Sequence, residues 1–151
     1  MKRADWIEVC GNELAAHGIE NFHPLEICDV GRISVAGHAL QAPPLELLPN
    51  AIKLLGILGS IRSCPTTAPI LVNSWYRDAT YNHDVGGVAN SMHLQLGAAD
   101  ITKAGYTPDQ LADLIEAHPD SDKLGVGRYP TFTHIDVRGM IGRDAPARWV
   151  R

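Results

Sequence analysis

NSWYRDATYNHDVGGVANSMHLQLGAADIT, residues 73–102, decides the fold of this 151-residue chain together with THIDVRG at residues 133–139. Each stretch contains a short strand-like run and carries polar side chains that a hydrophobic core does not need. The first contains His93 and Asp100, seven residues apart, and the second contains His134. Hydrolytic zinc sites use these residue types, with three protein ligands and one position left open for water. We therefore predict a metal site formed by these three side chains.

The spacing within the first stretch suits two ligands that face one point. The chain would leave one strand at His93, turn at Leu96 and Gly97, and enter the next strand at residues 98–101. A histidine and an aspartate at this distance occur by chance in many chains. The spacing alone is therefore weak support for a metal site.

The wider pattern resembles the zinc D-Ala-D-Ala carboxypeptidase (M15-type) peptidases, which share the hedgehog/DD-peptidase fold. The residues that carry the resemblance are Asn73–Arg77, Tyr81-Asn82, Gly86-Gly87, Ser91-x-His93, Gly97 to Ile101, GVGRYP at 125–130 and His134-x-Asp136-x-Arg138. The resemblance covers about residues 21–149. The family usually has a glycine three residues after the first ligand histidine, where this chain has Leu96. Because the distance from His93 to Asp100 is unchanged, we expect a rebuilt turn that keeps both ligands.

The resemblance implies one zinc ion bound by His93, Asp100 and His134, and a catalytic role for Arg77 in binding substrate or stabilising the transition state. A guanidinium group can hold a carboxylate through two parallel hydrogen bonds, which suits the carboxylate of a peptide. The alternative for Arg77 is a surface ion pair with an aspartate of the following loop, Asp78 or Asp84.

Ser91 has two open roles, because its hydroxyl can bind the substrate or support His93. The general base is assigned to Asp136, since side chains two apart on a strand face the same side and Asp136 then lies beside His134. Alternatively, Asp136 orients an imidazole or pairs with Arg138.

One departure from the family concerns the general base. Better-known members have an acidic residue three positions before the last histidine, where this chain has Thr131. If Asp136 is not the base, a loop group such as Asp84 or His83 must take the proton.

Composition excludes several classes of protein. With 45% hydrophobic and 20% charged residues, the chain is an ordinary globular protein of one predicted domain, residues 1–151. A net charge of -4 without a basic stripe argues against binding to nucleic acid. No apolar run approaches the roughly 20 residues that a membrane helix needs, so membrane insertion is not expected. The three cysteines are far apart and form no metal-binding pair, so we expect reduced thiols.

The start of the chain bears on where it is made. Asp5 and Glu8 follow Lys2 and Arg3 directly, where a secretory signal would be apolar. We therefore expect synthesis in the cytoplasm, with access to the cell wall only through a separate pore protein. We also expect a monomer.

Local patterns predict an α+β fold with a small, mostly antiparallel sheet. Helices are predicted over residues 3–17 and 49–62, and from Thr107 to Pro119, where Thr107 and Gln110 form a capping box around Pro108. Strands are predicted over residues 70–72, 98–101, 124–129 and 133–137. Residues 21–26 are predicted to be irregular, and the glycine-rich residues 78–90 are predicted to be a loop.

The leading functional hypothesis is a zinc peptidase that cuts peptidoglycan stem peptides, as a free-standing lysin of the phage type. A cytoplasmic D-Ala-D-Ala dipeptidase fits the same residues. A different class is a non-catalytic, zinc-stabilised module that binds cell wall or serves as a structural phage protein. Thr131, in place of an acid, keeps that class open.

Overall fold

All 151 residues are described by the computed structural model, at whose centre lies a five-stranded sheet. Its strands, in chain order, are β1 (Ile70–Ser74), β2 (Ala98–Lys103), β3 (Gly125–Arg128), β4 (Thr133–Asp136) and β5 (Ala147–Val150). They lie side by side in the order β1-β2-β4-β3-β5, and every pair is antiparallel except β3 with β5. The predicted α+β fold with a small, mostly antiparallel sheet is confirmed.

Five α-helices pack around this sheet. They are α1 (Arg3–Ala16), α2 (Pro24–Ile27), α3 (Leu48–Ser63), α4 (Ala79–Asp84) and α5 (Pro108–Glu116). Single 3₁₀ turns span Leu45–Leu47, Met92–Gln95, Ser121–Lys123 and Arg138–Ile141. The three longer helices lie close to where the sequence predicts them, and Thr107 and Gln110 form the expected capping box of α5. None of the helices combines the length and apolar character needed to cross a membrane.

The hydrophobic core is one cluster of 28 buried residues between the sheet and the helices. Helix α1 buries Trp6, Cys10 and Leu14, three residues that share one face at helical spacing. The indole nitrogen of Trp6 donates to the carbonyl oxygen of Pro24 at 3.1 Å, which ties α1 to α2. Burial raises the pKa of the Cys10 and Cys28 thiols to about 12. All three cysteines are free, as expected.

A buried lysine fixes β2 against α3. Lys103, in β2, is 2% exposed, and its ammonium group donates to the carbonyl oxygens of Ile61, Cys64 and Thr66 at 2.7, 3.1 and 3.0 Å. An ammonium has three donors, so this one is fully satisfied without a carboxylate. The contacts anchor the strand that carries Asp100.

Three local predictions are wrong. Residues 78–90 are not only loop, because the Asp78 carboxylate accepts from the Tyr81 amide at 2.8 Å and caps α4. Residues 21–26 contain the start of α2, whose first residue is Pro24. His93 lies on a 3₁₀ turn and not at the end of a strand. Each element is too short for a periodic pattern to reveal it.

Candidate metal centre

Strand register brings two of the predicted ligands together. Asp100 in β2 and His134 in β4 are direct partners across an antiparallel pair. Directly opposite residues project to the same face of a sheet. Nδ1 of His134 consequently lies 3.0 Å from Oδ1 of Asp100.

The third predicted ligand comes from the turn that precedes β2. The Ser91 hydroxyl accepts a hydrogen bond from the His93 amide at 3.2 Å and caps this turn. Of the two roles left open for Ser91, this contact is the support of His93. Nε2 of His93 lies 3.3 Å from Oδ1 of Asp100. The ligand atoms of His93, Asp100 and His134 all lie within 4.8 Å of one another, and all three residues are buried. The structure thus brings together the three predicted ligands.

The far side of each imidazole is held by an acceptor. Nδ1 of His93 donates to the carbonyl oxygen of Trp75 at 2.5 Å, and Nε2 of His134 donates to Oδ2 of Asp136 at 2.9 Å. In a neutral imidazole the other nitrogen then carries a lone pair. When both rings are neutral, both lone pairs face Oδ1 of Asp100, and three acceptors converge with no donor between them. This donor set fits a zinc ion, whose histidine ligands are held in this way by carbonyl or carboxylate groups.

The electrostatics of the centre favour a positive charge among these groups. Burial lowers the pKa of His93, which favours the neutral form that a metal ligand requires. Burial also acts to lower the pKa of His134, but its hydrogen bonds to Asp100 and Asp136 outweigh burial and raise it. Burial acts to raise the pKa of Asp100, yet its close contacts with His134 and His93 hold it well below its usual range. A carboxylate between two imidazoles is thus kept charged.

Asp136 is fully buried, and both of its oxygens are occupied. Oδ1 accepts from the backbone amide and Nε of Arg138 at 3.1 and 2.9 Å, and Oδ2 accepts from Nη2 of Arg138 at 2.7 Å and from His134. Burial acts to raise the pKa of Asp136, but these hydrogen bonds hold it well below its usual range. Orienting His134 and pairing with Arg138 are the two alternatives that the sequence left open, and Asp136 does both. A role as general base stays a prediction.

Glycines in β3 make room for these groups. A Cβ at Gly125 would collide with the Asp136 carboxylate and would lie 2.6 Å from Nε of Arg138. A Cβ at Gly127 would lie 2.5 Å from the indole ring of Trp149. Gly125 and Gly127 are the register partners of Asp136 and His134 in β4. The Gly-Val-Gly motif therefore follows from close packing behind the metal centre.

Arg77 contacts the metal centre directly. Its Nη2 lies 2.8 Å from Oδ2 of Asp100, and its Nε donates to the Ser74 hydroxyl at 3.1 Å. The ion-pair alternative named two other aspartates, Asp78 and Asp84, and neither is the partner. Arg77 therefore holds the carboxylate ligand from behind, and a role in binding substrate stays a prediction.

Asp84 lies in a separate cluster. Its carboxylate accepts from the Ser34 hydroxyl and from Nδ1 of His38, the latter at 2.7 Å. Neither Asp84 nor His83 lines the cleft described next. Neither group is therefore placed to take a proton there.

The turn between the first two ligands contains a left-handed leucine. Leu96 has a φ angle of 59° and is fully buried, and its carbonyl oxygen accepts from the indole nitrogen of Trp75 at 2.8 Å. The left-handed residue is Leu96 and not Gly97, so the turn has not moved by one residue to use the glycine. Burial and the contact with Trp75 hold Leu96 in a conformation that glycine favours.

The three ligands lie in a cleft of about 710 Å³. One wall is aromatic, with Tyr129 and Phe132 stacked at 4.4 Å between ring centroids and Trp149 hydrogen-bonded to the Tyr129 hydroxyl. Arg143 and Asp144 also line the cleft, whereas Thr131 does not. None of these five lining residues, Tyr129, Phe132, Trp149, Arg143 and Asp144, had a role in the site predicted from the sequence. An aromatic run near the predicted ligand strand was the available signal.

Comparison with known proteins agrees with this geometry. The profile of the Peptidase M15 family, described as "Peptidase M15", matches residues 21–136. The chain is 35% identical over 95 residues to a protein named "Zinc D-Ala-D-Ala carboxypeptidase" from Streptomyces albus G. That match covers 62% of this chain and 37% of the relative, so the chain spans well under half of the relative's length. Because the family profile covers most of the chain and all three ligands, the chain belongs to the Peptidase M15 family.

Proposed function

We propose that this protein is a zinc peptidase that hydrolyses peptide bonds in peptidoglycan stem peptides. The observation that carries the proposal is the convergence of His93, Asp100 and His134, whose ligand atoms lie within 4.8 Å with both opposite imidazole nitrogens held. The name of the relative from Streptomyces albus G supports zinc and a D-Ala-D-Ala substrate.

The chain's own residues would hold the metal and keep its ligands in place. When bound there, zinc would polarise a carbonyl group and would lower the pKa of a water ligand toward about 7. Arg77 keeps the Asp100 carboxylate charged and oriented, and Asp136 fixes the tautomer of His134 so that Nδ1 faces the cleft.

The biological setting of this activity is the finer part of the proposal. We propose a lysin of the phage type, made in the cytoplasm and released to the wall by a separate pore protein. A cytoplasmic D-Ala-D-Ala dipeptidase is the alternative with the same chemistry. A lysin lyses permeabilised cells, whereas a dipeptidase releases free D-alanine from the dipeptide without lysis.

Digestion of purified sacculi tests the proposal. Zinc-loaded protein should release peptide fragments that mass spectrometry identifies by their cleaved stem bond, and a chelator should stop the release. The control variant is His134→Ala, which lacks a ligand and should release nothing. Release that is equal with and without chelator, or equal in the control variant, would contradict a metal-dependent peptidase.

A non-catalytic wall-binding module is a second candidate, favoured by one observation. Thr131 lies outside the cleft, and both oxygens of Asp136 are occupied, so neither residue offers a free base beside the metal. Such a module would bind to sacculi in a pull-down and release no peptide. The digestion experiment separates the two candidates directly.

A further inference from the structure

The cleft around the metal ligands is rich in arginine. Four line it, namely Arg77, Arg138, Arg143 and Arg151. The carboxylates that line it are those of Asp100, Asp136 and Asp144. A guanidinium group without a carboxylate partner in the protein can bind an anionic group of a substrate.

Two of the four arginines are already neutralised. Arg77 is paired with Asp100, and its Nε is also occupied by the Ser74 hydroxyl. Arg138 holds Asp136 through two nitrogens. A fork that is occupied by a buried carboxylate cannot offer the same two donors to a substrate.

Arg143 and Arg151 both lack an ion-pair partner in the protein, but only the guanidinium of Arg143 is positioned by a hydrogen bond. The Arg143 side chain is exposed, forms no ion pair, and makes one hydrogen bond, from Nη1 to the carbonyl oxygen of Asn90 at 2.8 Å. Asn90 belongs to the loop after α4, which also contains Gly86 and Gly87 and lines the same cleft. This bond fixes one nitrogen of the guanidinium and leaves its Nη2 and Nε free. Its neighbour Asp144 lines the same cleft without forming an ion pair.

We propose that Arg143 binds a carboxylate group of the substrate. This rests on the proposed peptidase function and assigns to Arg143 the carboxylate recognition that the sequence analysis gave to Arg77. A guanidinium whose position is fixed at one nitrogen can present its other donors to a carboxylate with little loss of side-chain freedom. Arg143 lies beyond residue 136, where the family match ends, so family membership does not assign this role.

The carboxylate has two possible sources in a stem peptide, the free C-terminus or an acidic side chain beside the cleaved bond. Two pairs of uncleavable analogues separate them, each with a methylene-amine link in place of the scissile amide. The first pair is N-acetyl-D-Ala-D-Ala as the free acid and as the C-terminal amide. The second pair is amidated at the C-terminus and carries D-Glu or D-Gln next to the link.

Binding is measured by titration calorimetry on the zinc-loaded protein. The wild type should bind the carboxylate member of one pair about tenfold or more tightly than its amide partner. Arg143→Ala should reduce that preference to less than about twofold. Arg143→Lys should keep part of it, since charge remains and the fork is lost. Arg62→Ala removes the same charge from α3 outside the cleft and should keep the wild-type preference.

The source of the carboxylate is identified by the analogue pair whose difference in affinity disappears in Arg143→Ala. Absence of any preference in the wild type, or a preference that Arg143→Ala retains, overturns the proposal. These outcomes do not depend on hydrolysis. If the wild type digests sacculi but Arg143→Ala keeps the preference for the carboxylate analogue, the peptidase function is supported and the Arg143 subsite is rejected. If the preference depends on Arg143 but the wild type does not digest sacculi, the Arg143 subsite is supported and the peptidase function is rejected.

Discussion

The indole ring of Trp149 lies against the imidazole ring of His134, with 5.0 Å between their centroids. Trp149 belongs to β5, a strand outside the residues that the family profile matches. The same indole fills the space above Gly127 and lies under the guanidinium of Arg138, 5.3 Å away. The last strand therefore contributes a wall to the metal centre.

Removing this wall should weaken zinc binding. Trp149→Ala opens one face of His134 to water and frees Arg138, so we expect zinc affinity to fall by about tenfold. Trp149→Phe keeps a ring against His134 and loses only the bond to Tyr129, so it should bind zinc nearly as tightly as the wild type. Competition with a chromophoric chelator measures both affinities, and melting curves confirm that the variants remain folded. Wild-type zinc affinity in Trp149→Ala would show that the contact is incidental.

Asp136→Asn separates support of a ligand from proton transfer. The substitution removes a carboxylate that accepts from His134 and neutralises Arg138, so we expect zinc affinity to fall by about 10–100-fold. Turnover should be largely restored by excess zinc, because both oxygens of Asp136 are already engaged. Hydrolysis that stays at least a hundredfold low at full zinc occupancy would instead identify Asp136 as the general base.

Asp144 is the matched comparison for that experiment. It lines the cleft, is exposed and makes no ion pair, so it is the carboxylate there that remains free to accept a proton. Asp144→Asn should leave zinc affinity unchanged and lower kcat by about a hundredfold or more. An unchanged kcat in Asp144→Asn, measured at saturating zinc, would exclude it as the proton acceptor.

Leu96 allows a sharp test of backbone strain. At most positions alanine is more stable than glycine, by roughly 0.5–1 kcal/mol within regular structure. At Leu96 the left-handed backbone reverses this order, because a Cβ costs about 1–2 kcal/mol there. Leu96→Gly should therefore be about 1 kcal/mol more stable than Leu96→Ala, although both lose the buried side chain. Urea unfolding measures the difference, and a more stable alanine variant would contradict the assigned conformation.

The cluster around Asp84 should make part of the stability depend on pH. Hydrogen bonds from Ser34 and His38 lower the pKa of Asp84 below its ordinary value. Its contribution is therefore present in full above the unfolded-state pKa of about 3.9, and it is lost as the pH falls through the lower folded-state pKa. Asp84→Asn should be less stable than the wild type near neutral pH, and the gap should close as the solution is acidified below about pH 4. Unfolding curves recorded across this range test the sign, and a gap that widens on acidification would be inconsistent with it.

The candidate metal centre was predictable because the residues around His93, Asp100 and His134 resemble those of a known family, whereas their spacing alone was weak support. His93, Asp100 and His134 have side chains suited to zinc, and the strands that carry the last two have clear local patterns. The capping box of α5 was equally local, since Thr107, Pro108 and Gln110 act within one helical turn. Local patterns of this kind can be read from a sequence because they depend only on residues that are near one another along the chain.

The remaining features depend on distant contacts or on the backbone. The group that holds His93 is the carbonyl oxygen of Trp75, which every residue type possesses. Strand β5 is four residues long and pairs in parallel with β3. A parallel pair has no connecting hairpin turn, so the sequence contains no turn motif that predicts this strand. Arg77 is paired with Asp100, 23 residues further along the chain, and no local pattern reveals that pair. Only the folded chain shows that this charge is already used.

Metal content tests the central claim most directly. Wild-type protein, purified, loaded with zinc and freed of excess ion, should contain about one zinc per chain by plasma emission spectroscopy. His93→Ala, Asp100→Ala and His134→Ala should each lose most of that zinc while keeping much of the fold by circular dichroism. His118→Ala, outside the cleft, should keep it. Full zinc occupancy in His134→Ala would contradict the assigned ligand set.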